Sequence, residues 1–172
     1  MLPTYSTFLE IHPVLWPKAI VGDLLGEYSS SFHRVLHYQQ RFRDEYDSFA
    51  TTSKEFLQKV NLEMYVTARL NVMTRSFGTG PLESSFVEVH ELENLYGIDL
   101  SKGYHAMVPI LDQYDHHPHP NVGFAFDSAR NAFVVKCTST IVPGQDVMDS
   151  YGKRSDSDLF ARYGFVNGVG SG

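Results

Sequence analysis

The chain has 172 residues, with 14 lysines and arginines against 20 aspartates and glutamates, for a formal net charge of -6. That sign argues against nonspecific nucleic-acid binding, which needs a basic surface, and the 42% hydrophobic content excludes a disordered chain. No apolar run is long enough to span a bilayer, no basic-then-apolar secretory signal opens the chain, and the length suits one domain with a real core or a domain plus a helical lobe.

The first half reads as helices. Pro17 opens one over 18–26, with Ile20, Leu24 and Leu25 inward. A second, from Ser29 to Phe49, carries Phe32, Val35, Leu36, Phe42, Tyr46 and Phe49 near helical spacing, with Arg34, Gln40, Arg41, Asp44 and Glu45 opposite. Thr52 and Glu55 have capping-box spacing, in which each side chain satisfies a backbone N–H of the first turn. They open a third helix whose Phe56, Val60, Met64, Ala68 and Val72 recur every fourth residue, and Gly78-Thr79-Gly80-Pro81 stops it.

The second half reads as short strands and turns. Glu83 to Leu100 is read as an insertion or a loop with one helical turn. Ala106 to Leu111 is an apolar run of strand length, and Gly123 to Phe126 and Ala132 to Thr138 flank a hairpin connection at Asp127 to Asn131. Pro143-Gly144 marks a turn, and a further strand is placed at Asp146 to Ser150. Ser155 begins a helix to Tyr163, Asp156 and Asp158 sit near its positive end, and Gly164 provides a left-handed stop. The change of period predicts an α+β fold, with helices before Gly78 and strands after Ala106. Cys137 is the sole cysteine, so no intrachain disulfide forms, and a reducing compartment is expected: the cytoplasm, with nucleus and plastid still open. Its strand-like surroundings predict a buried structural thiol.

Three motifs stand in order. Met73-Thr74-Arg75 comes first. Pro109 to His116 has the pattern Pro-x-x-Asp-x-x-Asp-His. Gly144 to Gly152 ends in Tyr151-Gly152 and is followed by Arg162-Tyr163-Gly164-Phe165-Val166. A tyrosine beside glycine can reach into a reaction channel, because glycine lets the backbone turn sharply. In this order the motifs resemble the second half of a SET-domain protein methyltransferase, in the branch of the Rubisco large-subunit lysine methyltransferase and the actin-histidine methyltransferase. Tyr5 to Leu9, Trp16-Pro17 and Asp23-Leu24-Leu25 resemble that family's helical insert.

The resemblance implies a helical insert at 1–80, a connecting segment at 81–105, the C-terminal SET half at 106–166 and a tail at 167–172. It also implies S-adenosyl-L-methionine as cofactor and a lysine or histidine of a protein as substrate. Tyr151 would be the catalytic tyrosine. Arg75, Asp115, His116 and Tyr163 would contact the cofactor, and Asp112 and Tyr163 the substrate. Asp115 stands where the family has asparagine; it accepts hydrogen bonds but cannot donate them, and it adds a charge. Arg75 is alternatively a surface arginine at a helix end, and Asp112 is equally a turn former. His116, His117 and His119, interleaved with Pro118 and Pro120, read as an extended exposed loop and match no ordered zinc motif, so no metal is expected. The family's opening β segment with its glycine-containing loop, and its C-terminal helical lobe, are not recognised in the chain. The expectation is therefore an incomplete methyltransferase with a protein partner; a non-catalytic SET-derived interaction module is the alternative.

Overall fold

The computed structural model describes residues 2–78, 105–127, 129–130 and 132–168. The expected insertion at Glu83 to Leu100 lies outside the described residues. The fold is α+β and divides into two compact units. One comprises the chain up to Thr74 together with the chain from Lys153; the other is Arg75–Gly152. The units thus cut across the linear order of the segments 1–80, 81–105 and 106–166, since the last helix belongs with the first ones.

The first unit contains α1 (Tyr5–Ile11), a 3-10 turn (Pro13–Leu15), α2 (Lys18–Leu25), α3 (Ser30–Thr52), α4 (Lys54–Lys59), α5 (Leu62–Arg75, whose last residue opens the second unit) and α6 (Asp156–Tyr163). Local chemistry fixes the helix starts. Thr4, Ser29, Ser53 and Ser155 each accept a backbone N–H of the turn they begin. The predicted box at Thr52 does not form, and a single cap one residue later takes its place. Thr52 Oγ1 donates to the Ser48 carbonyl at 2.8 Å and stays inside α3, while Ser53 caps α4. The predicted third helix is also broken. The Asn61 carboxamide accepts the Met64 N–H at 2.8 Å and starts α5 afresh. The new start resets the phase: Tyr65, Val66, Leu70 and Met73 face the core, whereas Met64, Ala68 and Val72 are exposed. In α2 the phase is likewise shifted by one, with Val21 buried and Ile20 and Leu24 exposed.

One core cluster joins Phe8, Val14, Phe42, Tyr65, Val66, Leu70 and Met73, and another joins Val21, Phe32, Val35 and Ala161. The terminal helix is clasped by buried His12. Its Nδ1 accepts the Val14 N–H at 3.3 Å, so Nε2 carries the proton and donates to the Arg162 carbonyl at 3.0 Å. Burial holds the His12 imidazole down to about 4 from its ordinary 6.5, against the opposing pull of the Arg162 carbonyl. Gly164 ends α6 at φ 84°, ψ 12°, as predicted. A Cβ there would lie 2.5 Å from the Ile11 carbonyl oxygen, so glycine is required for space as well as for conformation.

Among the described residues, the second unit contains three two-stranded pairings. β1 (Ser76–Gly78) pairs antiparallel with β2 (His105–Met107). β3 (Asp115–His116) pairs parallel with β6 (Met148–Asp149). β4 (Val122–Asp127) and β5 (Ala132–Cys137) form the predicted hairpin, in register from Val122↔Cys137 to Asp127↔Ala132. Phe77 packs edge-on against Phe124 at 4.8 Å, and Phe126 against Phe133 at 5.2 Å.

Three expectations are corrected here. The third predicted helix does not run to Gly78, because Ser76–Gly78 is already paired as β1. The strand expected over 106–111 ends at Met107; the chain turns after Pro109, with Ile110 at φ 73°, and a 3-10 turn (Leu111–Gln113) tucks Leu111 into the interior. Cys137 is exposed rather than buried, because it lies at the end of a two-stranded ribbon whose last three residues are all exposed. Among the described residues no helix is long and apolar enough to cross a membrane.

Candidate functional site

The second and third motifs meet through β3 and β6. Parallel register places Asp115 opposite Met148 and His116 opposite Asp149, and the His117 N–H donates to the Asp149 carbonyl at 2.8 Å. Segments far apart in sequence thus become neighbours, and Tyr151 follows directly from the end of β6. Its backbone N–H donates to His116 Nδ1 at 3.0 Å, which places the ring proton on Nε2. Its hydroxyl donates to the Tyr114 carbonyl at 3.0 Å. The rings of His116 and Tyr151 lie 5.2 Å apart, tilted by 35°. Tyr151 is therefore held at three points along the Tyr114–His116 segment. Gly152 follows at φ 91°, a turn that a side chain would oppose.

A buried asparagine sets this pairing, and sequence reasoning had not singled it out. Asn121 Nδ2 donates to the Asp146 carbonyl at 2.8 Å, and its Oδ1 accepts the Met148 N–H at 2.8 Å. One carboxamide thus satisfies two backbone groups of the strand that delivers Tyr151. No local sequence signal marks such a residue, since its partners lie 25 and 27 positions away.

Asp149 was also missed. It is 1% exposed, and its Oδ1 accepts the Ser150 N–H, while Oδ2 has no hydrogen-bond partner among the described residues. Burial raises its carboxyl above the usual aspartate range, partly offset by the Ser150 N–H. Its place directly after Val147 and Met148 in the predicted strand was the signal available.

Arg75 and Asp112 form a second pair in the same unit. Arg75 Nη1 donates to the Asp112 carbonyl at 2.7 Å and lies 3.8 Å from its carboxylate, with both side chains mostly buried. Strained Ile110 lies just upstream of this pair. The Asp115 side chain is exposed and makes no hydrogen bond or ion pair among the described residues, so its charge is not desolvated. Tyr163 belongs to the first unit, where the guanidinium groups of Arg154 and Arg162 lie 5.9 and 5.7 Å from its ring.

The histidines do not converge. His116 faces Tyr151, while His117 Nδ1 accepts the His119 N–H at 3.0 Å within its own turn. Among the described residues no group of three or more histidine, cysteine or acidic side chains is arranged to hold a metal.

No protein-family model matches the chain. A 62-residue stretch is 34% identical to SET domain-containing protein 4 of Homo sapiens, covering 36% of this chain. The match spans 14% of the human protein's length. This similarity supports a relation to SET-domain proteins.

Proposed function

We propose that the chain belongs to a SET-type protein N-methyltransferase of the Rubisco and actin-histidine methyltransferase branch, which uses S-adenosyl-L-methionine to methylate a lysine or histidine of a protein. The observation that carries this reading is the β3–β6 pairing. It sets the Asp115-His116 motif beside Tyr151, as the resemblance requires of a single site.

The side chains fit the cofactor in type. The Arg75 fork keeps N–H donors beyond the one used on Asp112, and these suit a carboxylate. Exposed Asp115 is an acceptor suited to an ammonium. The cofactor supplies a sulfonium methyl for displacement by a neutral nitrogen. Tyr151 commits its hydroxyl proton to the Tyr114 carbonyl, and that bond orients the oxygen lone pairs. Its oxygen can then polarise a methyl group, while His116 fixes its backbone. Asp112 holds Arg75 in place, a positioning role alongside the substrate contact implied for it.

The test joins calorimetric titration with S-adenosyl-L-methionine to transfer of a labelled methyl group into a protein acceptor. Tyr151→Phe is expected to spare cofactor binding and lower turnover by at least about tenfold. Unchanged turnover would remove Tyr151 from the chemistry. The second reading, a non-catalytic interaction module, is favoured by one observation: the Asp112 carbonyl and carboxylate already engage Arg75. It predicts no heat with the cofactor at any protein concentration.

A further inference from the structure

A cavity of about 530 Å³ opens in the helical unit where α1, the first 3-10 turn, α2, α3 and α5 meet. The size lies in the range of ligand-binding clefts. Its floor is apolar, made by buried Val14, Phe42 and Val66. Trp16 forms an aromatic wall, fixed by its indole N–H donating to the Leu9 carbonyl at 2.9 Å. Gln39 spends its Nε2 on the Trp16 carbonyl at 2.8 Å and leaves Oε1 without a partner among the described residues.

The rim carries Lys18, Arg43 and Glu63, all exposed. None of these side chains makes an ion pair or hydrogen bond among the described residues. Two cations against one carboxylate give the cleft a positive sign, opposite to the chain's net charge of -6. The cleft also runs out to solvent past exposed Pro17 and Leu62.

We propose that this cleft docks a short peptide segment of a partner protein in which an aromatic or large aliphatic residue stands beside an aspartate or glutamate. The floor and the Trp16 ring take the apolar side chain. Arg43 and Lys18 take the neighbouring carboxylate, and Gln39 Oε1 can accept a backbone N–H. Glu63 opposes a multiply charged anion, which selects a single carboxylate over a phosphate. An open-sided cleft with an acceptor for the main chain suits a peptide passing across it. The inference stands on the helical unit alone and holds or fails apart from methyl transfer.

Trp16 is the only tryptophan, so its emission reports on this cleft selectively. The probe is an end-blocked, tryptophan-free hexapeptide with a central Phe-Glu pair, titrated into the full chain. A saturable change in emission is expected. Replacing the peptide's glutamate by glutamine, or its phenylalanine by alanine, should weaken binding about tenfold. Arg43→Glu should do the same, while Arg43→Lys, which keeps the charge but not the fork, should weaken binding less than Arg43→Glu. Arg43 is exposed and has no ion pair or hydrogen bond from its side chain among the described residues, so neither variant threatens the fold, and an unchanged circular dichroism spectrum checks this. No saturable change, or equal binding of the glutamine peptide, would overturn the proposal. Phenylacetate binding as tightly as the peptide would also overturn it, by identifying a small-molecule site.

Discussion

As the pH falls below 6.5, the buried His12 clasp should begin to cost stability, above the range in which most carboxylates titrate. The imidazole is fully buried, accepts the Val14 N–H through Nδ1 and donates to the Arg162 carbonyl through Nε2. A second proton on Nδ1 would face an N–H, so the folded chain resists protonation and its pKa falls from 6.5 to about 4. The unfolded chain takes up that proton more readily, so stability is intact above 6.5 and is lost as the pH falls toward 4. The full difference of 2.5 pKa units (6.5 minus 4) corresponds to about 3 kcal/mol, and at pH 5 about 2 kcal/mol should already be gone. Urea unfolding across this range measures it. His12→Asn provides the control, because asparagine can cap Val14 but does not protonate. The variant should start less stable, since it loses the Arg162 contact, and should lack this acid-dependent fall between pH 7.5 and 5. An equal acid loss in His12→Asn would refute the reasoning and move the titration elsewhere.

Asp149→Asn should raise the urea midpoint at neutral pH, because burial disfavours the ionised acid and asparagine can still accept the Ser150 N–H. A raised carboxyl pKa costs stability only where the group is ionised, so the gain should shrink as the pH falls; a gain that grows with acid would contradict it. Gly164→Ala should destabilise the chain by about 2 kcal/mol or more in thermal or urea melts, combining a left-handed residue with a Cβ 2.5 Å from the Ile11 carbonyl oxygen. Asn121→Ala should cost about 1–3 kcal/mol and, if the proposed function holds, reduce methyl transfer more than the loss of folded protein explains, because two backbone groups of the strand before Tyr151 lose their partner.

Features set within one turn of chain were legible in the sequence. Ser155 and Gly164 act where their chemistry predicted, because a cap or a left-handed stop needs only its neighbours. The inward faces of α2 and α5 were not legible, because phase depends on where a helix begins. Asn61 restarts α5, and Thr52, which resembled a cap, bonds back to Ser48 instead. Within the candidate site, the neighbourhood of Tyr151 and His116 was implied by the family resemblance of the two motifs. Asn121 could not be anticipated, since its partners are distant in sequence, and in the helical unit neither could the contact of His12 with Arg162. Cys137 was misplaced because an apolar strand run says nothing about how many strands lie beside it.

The register of β3 on β6 also bears on the aspartate at 115. Successive residues of a strand point to opposite faces, so one register decides which carboxyl is buried and which is exposed. Here Asp149, opposite His116, is the buried acid, and Asp115, opposite Met148, is left in solvent. A charge in water carries no desolvation cost, so aspartate in place of asparagine at 115 places no burden on the fold. Its consequence falls on whatever the site binds. A carboxylate there attracts an ammonium and repels an anion, and it cannot donate to a carbonyl as asparagine would. Asp115→Asn should therefore leave the urea midpoint unchanged within about 0.5 kcal/mol and, if the proposed function holds, change cofactor affinity, measured by calorimetry. A shift in stability without a change in binding would mean that residue 115 serves the strand pairing instead.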